Sequence, residues 1–367
     1  MKTKILKIDP IEPNKAAIGE AADIIKGGGL VVFPTESVYG IGADAFNAKA
    51  CSDIFKVKGR PSDNPLIVTV ASLDQAMEIG DIPGDYLDSI KRVWPCPLTF
   101  IVKNIAGLPE EVTAGLDTVA LRMPAHPVAL ELIRESGTPI AAPSANLSKK
   151  PTAVNAQQAL RYFDGKVDCI IDSGPAFFGL ESTIIDLRTF QLLRPGPFTI
   201  DELEKAFRKR PDPGDVARGS RQADAAIAPG TKYAHYAPDT KLFLYEGDVE
   251  DLSKSMRTIE IPQFAFIGSN ESCQVMHMAG CQTMALGKRG RPYEIAKGLY
   301  DGLIALDSAK VGFGIIESFA EDGIGLAIMN RIRKASSNNT FRGLDGLLGM
   351  LQENGLYLDA HSVSRSE

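Results

Sequence analysis

Leu30-Val31-Val32-Phe33 runs without a polar residue into Pro34-Thr35-Glu36-Ser37-Val38-Tyr39-Gly40, and this change of character decides the fold class. An apolar tetrad ended by proline reads as a strand buried on both faces, so its polar continuation emerges at the end of a sheet. Just upstream, Asn14 opens an amphipathic run with Ala17, Ile18, Ala21, Ile24 and Ile25 on one side, stopped by Gly27-Gly28-Gly29. That is the pattern of a capped helix. A helix feeding a buried strand begins an α/β layer.

Outward from there, short apolar strands are predicted at residues 66–70, 98–102, 119–123, 140–142, 169–172, 183–187 and 191–193. Helical patterns fall near 48–57, 73–79, 86–94, 128–136 and 155–163. Some connections are too short for a parallel crossover, so the expected sheet is mixed. After a helix near 201–208 the chain changes, and 211–229 holds prolines, glycines and charges without apolar periodicity, which reads as an interdomain linker. Strand patterns at 241–245, 264–268 and 311–319, with helical ones at 293–308 and 324–335, predict a smaller, Rossmann-like α/β domain. The expected organisation is a first domain at 1–208, a linker at 209–239, a small α/β domain at 240–341 and a tail at 342–367 with weak helical pattern around Leu347 to Leu351.

The 367 residues carry 40 Lys and Arg against 46 Asp and Glu, a net charge of −6, so any affinity for polyanions must be local. No apolar run approaches the roughly 18 residues of a membrane span, and Asp9, Pro10, Glu12 and Pro13 break the amino-terminal stretch before it could form a signal peptide. The expectation is a cytoplasmic protein without membrane contact. Five cysteines (51, 96, 169, 273 and 281) form no CxxC pair, which argues for reduced thiols. Common nucleotide and hydrolase signatures fail: Gly280 to Lys288 has the wrong spacing for a phosphate loop, Gly40-Ile41-Gly42 lacks a third glycine, and no GxSxG occurs. Cys273-x3-His277-x3-Cys281 offers three metal ligands, but unrelated packing positions are the better reading and no metal site is assigned.

Polar clusters recur at the mouths of the apolar strands. Thr35-Glu36-Ser37 follows the first strand, and Lys56-Val57-Lys58-Gly59-Arg60-Pro61 with Asp63-Asn64-Pro65 precedes the strand at 66–70. Arg122-Met123-Pro124, Pro143-Ser144-Ala145-Asn146, Glu181-Ser182-Thr183 and Arg194-Pro195-Gly196 flank others. In isolation each has a bland reading: a polar turn, a solvated basic loop, a structural ion pair or a helix cap. Together, six such clusters suit one crevice at the edge of a sheet, where open α/β folds bind ligands.

In order and spacing, Pro34 to Gly42, Lys58-Gly59-Arg60-Pro61 with Asn64-Pro65-Leu66-Ile67, Ser144-Ala145-Asn146, Ser182-Thr183 and Arg194-Pro195-Gly196 resemble the YrdC-like family of threonylcarbamoyl-AMP synthases. Ala228-Pro229-Gly230-Thr231-Lys232-Tyr233-Ala234-His235-Tyr236-Ala237-Pro238 and the segment after it resemble the long, two-domain branch. The resemblance implies a nucleotidyltransferase, an L-threonylcarbamoyladenylate synthase, converting L-threonine, bicarbonate or carbon dioxide, and ATP to threonylcarbamoyl-AMP and pyrophosphate, for threonylcarbamoyladenosine modification of tRNA. It implies threonine contacts from Ser37, Thr69, Arg122, the Ala142 backbone and Ser182. ATP contacts would come from Arg60, Asn64, Thr118, Ser144, Asn146, Thr152, Arg194 and Tyr236, with Lys58 and Arg60 offsetting charge during the reaction and the linker closing as a lid. Mg2+ would be bound to ATP oxygens and water, and transient contact with the tRNA threonylcarbamoyl-transfer machinery or RNA is implied. Two positions depart from the family: Ser37 stands where threonine is usual, and Thr69 where histidine is usual, which removes a titratable group. Two other readings remain open here. One is an RNA-binding or regulatory module retaining the fold. The other is a carbamoyl-transfer module of hydrogenase maturation, whose additional acylphosphatase-like and zinc-finger regions this chain lacks.

Overall fold

The computed structural model describes residues 2–219, 236–257, 259 and 261–356. The first helix, Lys15–Lys26, starts where the Asn14 side chain accepts the amides of Ala16 and Ala17, and buries Ile18, Ala21, Ala22 and Ile25. That face packs on Val31 and Phe33 and on Val128, Ala129 and Leu132 of the helix Pro127–Ser136. It forms one of the two apolar layers of an eleven-stranded sheet.

In chain order the strands of this sheet are β1 (Lys4–Lys7), β2 (Val31–Phe33), β3 (Gly40–Asp44), β4 (Ile67–Thr69), β5 (Gly80–Asp81), β6 (Leu98–Asn104), β7 (Thr118–Arg122), β8 (Ile140–Ala141), β9 (Cys169–Asp172), β10 (Thr183–Asp186) and β11 (Gln191–Arg194). The spatial order is β1-β9-β2-β3-β8-β4-β7-β6-β10-β11, with β5 on the side of β6. Parallel pairs such as β4 with β7 alternate with antiparallel ones such as β2 with β3, so the sheet is mixed as expected.

Three strands here escape the sequence reading. Lys4–Lys7 has a charged residue at each end yet pairs in parallel with β9, and Gly40–Asp44 hides its strand character behind two glycines. A Cβ on Gly42 would lie 2.6 Å from the Ile140 side chain and 2.7 Å from Phe33, so close packing demands glycine inside this strand. Gly80–Asp81 is too short to carry any alternation. The short helix Glu110–Thr113 was likewise not expected.

A second sheet follows, built of β12 (Leu242–Tyr245), β13 (Phe264–Gly268), β14 (Gln282–Ala285), β15 (Phe313–Glu317) and β16 (Thr340–Phe341) in the order β14-β13-β15-β12-β16. Every pairing in it is parallel. Helices Pro292–Ser308 and Gly325–Ala335 sit where predicted, while β14, β16 and helices Val249–Met256 and Asn270–Met278 were not anticipated. The weak pattern after Arg342 is a helix, Gly343–Glu353, burying Leu347 and Leu351.

Part of the stretch read as structureless linker is ordered. Asp215–Arg218 forms one helical turn with Ala217 buried, and the Asn330 amide donates to the Ala217 carbonyl at 2.8 Å. Among the described residues no cluster of three potential metal ligands exists, and no helix is long and apolar enough to cross a membrane.

Candidate active site

Strand register brings the scattered clusters into line. Thr69 pairs with Arg122, Arg122 with Thr99, Thr99 with Ile184, and Ile184 with Arg194. Directly paired residues point to the same face, so Thr69, Arg122 and Arg194 share one row across five strands of the sheet. Around Ile184 of this row, Ile67, Ile101, Ala120 and Leu193 complete a small apolar cluster.

The row walls a narrow cavity of about 50 Å³, to which Thr35, Lys58, Arg60, Ala142, Ser144, Asn146, Glu181, Ser182 and Tyr236 also contribute. Lys58 closes the helix Ala48–Lys58, which Gly59 ends in the left-handed conformation at φ 59°. The Lys58 Nζ turns inward, donating to the carbonyls of Ser144 at 2.5 Å and Asn146 at 2.6 Å. Burial, reinforced by the nearby Arg60 charge, pulls this amine well below the usual lysine range. Arg60 Nη2 donates to the carbonyls of Asn64 and Pro65 at 3.1 and 3.0 Å.

On the opposite side Arg122 Nη2 meets Glu36 Oε1 at 2.7 Å and Ser37 Oγ at 2.8 Å, both buried. Glu36 is held in turn by the Ala125 amide at 3.0 Å. The Arg122 Nε is buried and has no acceptor among the described residues, so the guanidinium retains a donor. Thr69 Oγ1 donates to the Ile140 carbonyl at 2.8 Å, which leaves its oxygen able to accept a hydrogen bond in the cavity it lines.

Ser182 is pinned by Thr99 at 2.7 Å and by Arg194, whose Nε and Nη2 reach the Ser182 carbonyl and hydroxyl at 3.0 and 3.1 Å. This embrace needs Gly196: a Cβ there would lie 2.4 Å from the Thr183 nitrogen and 2.6 Å from the Glu181 carbonyl oxygen. Glu181 accepts from Thr152 at 2.7 Å, Tyr300 at 2.8 Å and Arg331 Nε at 3.1 Å. Burial alone would raise the Glu181 carboxyl, but Arg331 and Arg194, helped by Thr152, hold it below the usual carboxylate range. Burial and then the Glu181 charge push the Tyr300 hydroxyl well up, so it stays a donor.

Most of the residues expected from the sequence therefore converge. Ser37 stands behind Arg122, and Thr152 ties Glu181 instead of lining the cavity. Thr118 and Asn64 lie outside the enclosed space at the far end of the same strand pair, because Ile67 pairs with Ala120 and Thr118 is two residues further back. Thr118, Ala120 and Arg122 share a face, so Thr118 lies about 13 Å along β7 from Arg122 on that face. Of the Ala228 to Pro238 motif, residues 228–235 lie outside the described residues. Tyr236 is buried beside Tyr300, ring centroids 5.4 Å apart, with Arg331 5.8 Å from its ring.

Contributors missed include Glu36, which pairs with Arg122, Glu181, which ties Thr152 to the second unit, and Tyr300 and Arg331, which arrive from the second sheet's helices. Arg331 had a legible signal, since with Ile324, Ala327 and Ile328 it falls on the apolar face of its helix. Cys273 and His277 share the helix Asn270–Met278, and Cys281 lies beyond its end.

A mixed sheet whose strand ends gather buried cations round a narrow crevice, joined by a parallel α/β unit, defines a two-unit α/β protein. A family model described as "Telomere recombination" (Sua5, YciO and YrdC proteins) matches residues 23–196, and one described as "Threonylcarbamoyl-AMP synthase, C-terminal domain" matches residues 198–337. The chain is similar to the threonylcarbamoyl-AMP synthase of Bacillus subtilis, 41% identical over 93% of this chain and 100% of that one. It is also similar to the Schizosaccharomyces pombe protein of the same name, 35% identical over 89% and 90%. The crystal structure of Pyrococcus abyssi Sua5 complexed with L-threonine superposes with a TM-score of 0.84 at 39% identity, covering 93% of this chain and 100% of that chain. The chain belongs to the YrdC-like family of threonylcarbamoyl-AMP synthases, in its two-domain form.

Proposed function

We propose that this chain is an L-threonylcarbamoyladenylate synthase, joining L-threonine, bicarbonate or carbon dioxide, and ATP with release of pyrophosphate. The observation that supports it most is the row linking Arg122 to Arg194: an amino-acid carboxylate and a polyphosphate both need buried cations, and strand pairing sets these two on one face. In this reading threonine's carboxylate takes the Arg122 Nε, its ammonium faces the Thr69 oxygen and Ala142, and its hydroxyl meets Ser182. The triphosphate lies along Lys58, Arg60, Ser144, Asn146 and Arg194, and the nucleoside extends toward Asn64 and Thr118. The Asn64 amide is buried without a hydrogen-bond partner among the described residues, which suits a base or ribose contact. Thr152 acts through Glu181.

No covalent nucleophile is required. Threonine's amine loses a proton and adds to carbon dioxide, and the carbamate oxygen attacks the α-phosphorus as pyrophosphate leaves. Holding both reactants in one crevice supplies orientation, and Lys58, Arg60 and Arg194 offset charge that develops on the phosphate. An arriving polyphosphate would also oppose the burial that lowers the Lys58 amine. Glu181 is saturated by Thr152, Tyr300 and Arg331, and Glu36 by Arg122 and the Ala125 amide, so neither offers a cage for magnesium and Mg2+ would travel with ATP. The enclosed space of about 50 Å³ is smaller than a nucleotide, so ATP would fill it only in part and extend beyond it, with Tyr236 on its wall expected to adjust. We assign catalysis to residues 1–208, a lid to 209–239, a clamp to the second unit at 240–341 and no role to the tail at 342–367. We place the enzyme in the cytoplasm, delivering its product to the tRNA modification machinery.

Pyrophosphate release from ATP, measured with each substrate omitted in turn, tests the reading. Release that requires both L-threonine and bicarbonate is expected; equal release without them would overturn it.

A further inference from the structure

The second sheet carries a crevice of its own, larger than the first at about 710 Å³. Chain order explains its place. The connection leaving β13 runs outward to β14, whereas the one leaving β15 runs the other way, past β12 to β16. The carboxyl ends of β13 and β15 thus diverge in the centre of a parallel sheet, and such a reversal opens a ligand crevice in open α/β folds. The cavity lies at that point, lined by Ser272 after β13, Glu317 and Ser318 at the end of β15, and Arg289 from the loop after β14.

Nucleotides commonly use a crevice of this type through the amino terminus of the following helix. Here that position is already filled by the protein's own carboxylate. Glu317, 3% exposed, accepts from the Ser269 amide, from Ser272 Oγ at 2.6 Å and from Arg289 Nη2 at 3.0 Å. A Cβ on Gly268 would lie 2.7 Å from Glu317 Oε1, so glycine makes room for the carboxylate. Among the described residues the charged lining is mainly acidic: Asp248, Glu250, Glu271 and Asp322 join Glu317, against Arg289. Apolar walls come from Val249, Val275, Ile295, Phe319 and Ile328.

We propose that this crevice binds a small organic cation, a primary ammonium on an aliphatic body such as a di- or polyamine, independently of the threonine and ATP site. Volume and topology make the site; the excess of carboxylates sets the charge of its occupant, and the apolar walls accept the methylene chain.

Calorimetric titration of the full chain with putrescine and with spermidine, in about 150 mM salt, tests this. Saturable one-to-one binding is expected. The surface double variant Glu250→Gln, Asp322→Asn should weaken it at least about tenfold, Glu317→Gln should weaken it as well, and Arg122→Ala in the first site should leave it unchanged. AMP titrated into the Arg122→Ala and Arg194→Ala double variant should give no heat. Absence of saturation below about 10 mM amine, binding indifferent to the carboxylate variants, or AMP displacing the amine would each overturn the proposal.

Discussion

Replacing Arg331 by methionine tests whether the second unit is part of the active site. Arg331 is fully buried and bonds to the Glu181 carboxylate at 3.1 Å, the Glu181 carbonyl at 3.3 Å and the Pro195 carbonyl at 2.5 Å. Methionine keeps the apolar bulk but strands a carboxylate that is itself buried. Breaking one side of such a pair costs about 3–5 kcal/mol. With Arg331 gone, burial is opposed mainly by Arg194, so the Glu181 carboxyl rises toward or past its value in the unfolded chain and the acid-linked loss of stability from this group shrinks. Glu181→Gln removes the charge from the other side. If the two groups answer one another, the double variant recovers at least about 2 kcal/mol relative to the sum of the single losses. Urea unfolding followed through Trp94, the chain's one tryptophan, gives these differences, and pyrophosphate release gives activity in the same samples. Glu181 precedes Ser182, which holds Arg194, so Arg331→Met should also lower activity in conditions where the protein is folded. Additive stability losses, or full activity in the folded single variant, would refute the coupling.

Arg122→Ala should weaken threonine binding by about 2–5 kcal/mol, read by calorimetry, and leave nucleotide affinity closer to normal; unchanged threonine affinity would remove that assignment. Asn64→Ala deletes a buried amide that has no partner among the described residues, so stability should change by less than about 1 kcal/mol while the KM for ATP rises; the reverse outcome would make Asn64 structural. Burial, then the charges of Arg331 and Arg194, pull Lys334 down to about 7. The unfolded chain then binds more protons between that value and the ordinary lysine pKa of 10.5, so this group makes stability rise with pH across that window. Lys334→Met should flatten the rise and stabilise the protein most near pH 6, as thermal unfolding at several pH values would show.

The elements of both sheets were largely legible because strand and helix leave local periods in the sequence, and Val31 to Phe33, Cys169–Asp172 and Phe264–Gly268 show them cleanly. Where the local signal fails, the partner supplies the structure. Gly40–Asp44 is a strand because β2 and β8 flank it, and Lys4–Lys7 because β9 offers it an edge. Site residues carried by contiguous motifs, such as Lys58 with Arg60 and Ser144 with Asn146, could be listed from the chain alone. The pairing of Glu36 with Arg122 could not, since the two are separated by more than eighty positions and either could have faced solvent.

By itself the sequence determined the alternation of helices and buried strands, the clustering of polar residues at strand ends and the family resemblance those clusters carry. Tertiary structure alone decided that Thr69, Arg122 and Arg194 occupy one row, that Arg331 and Tyr300 reach across to Glu181, and that the second sheet opens a crevice of its own. The reason is physical: helical and strand periods are written within a few residues, whereas register and crossover direction are set by pairing between segments far apart, where shifting by one residue would turn every side chain to the opposite face.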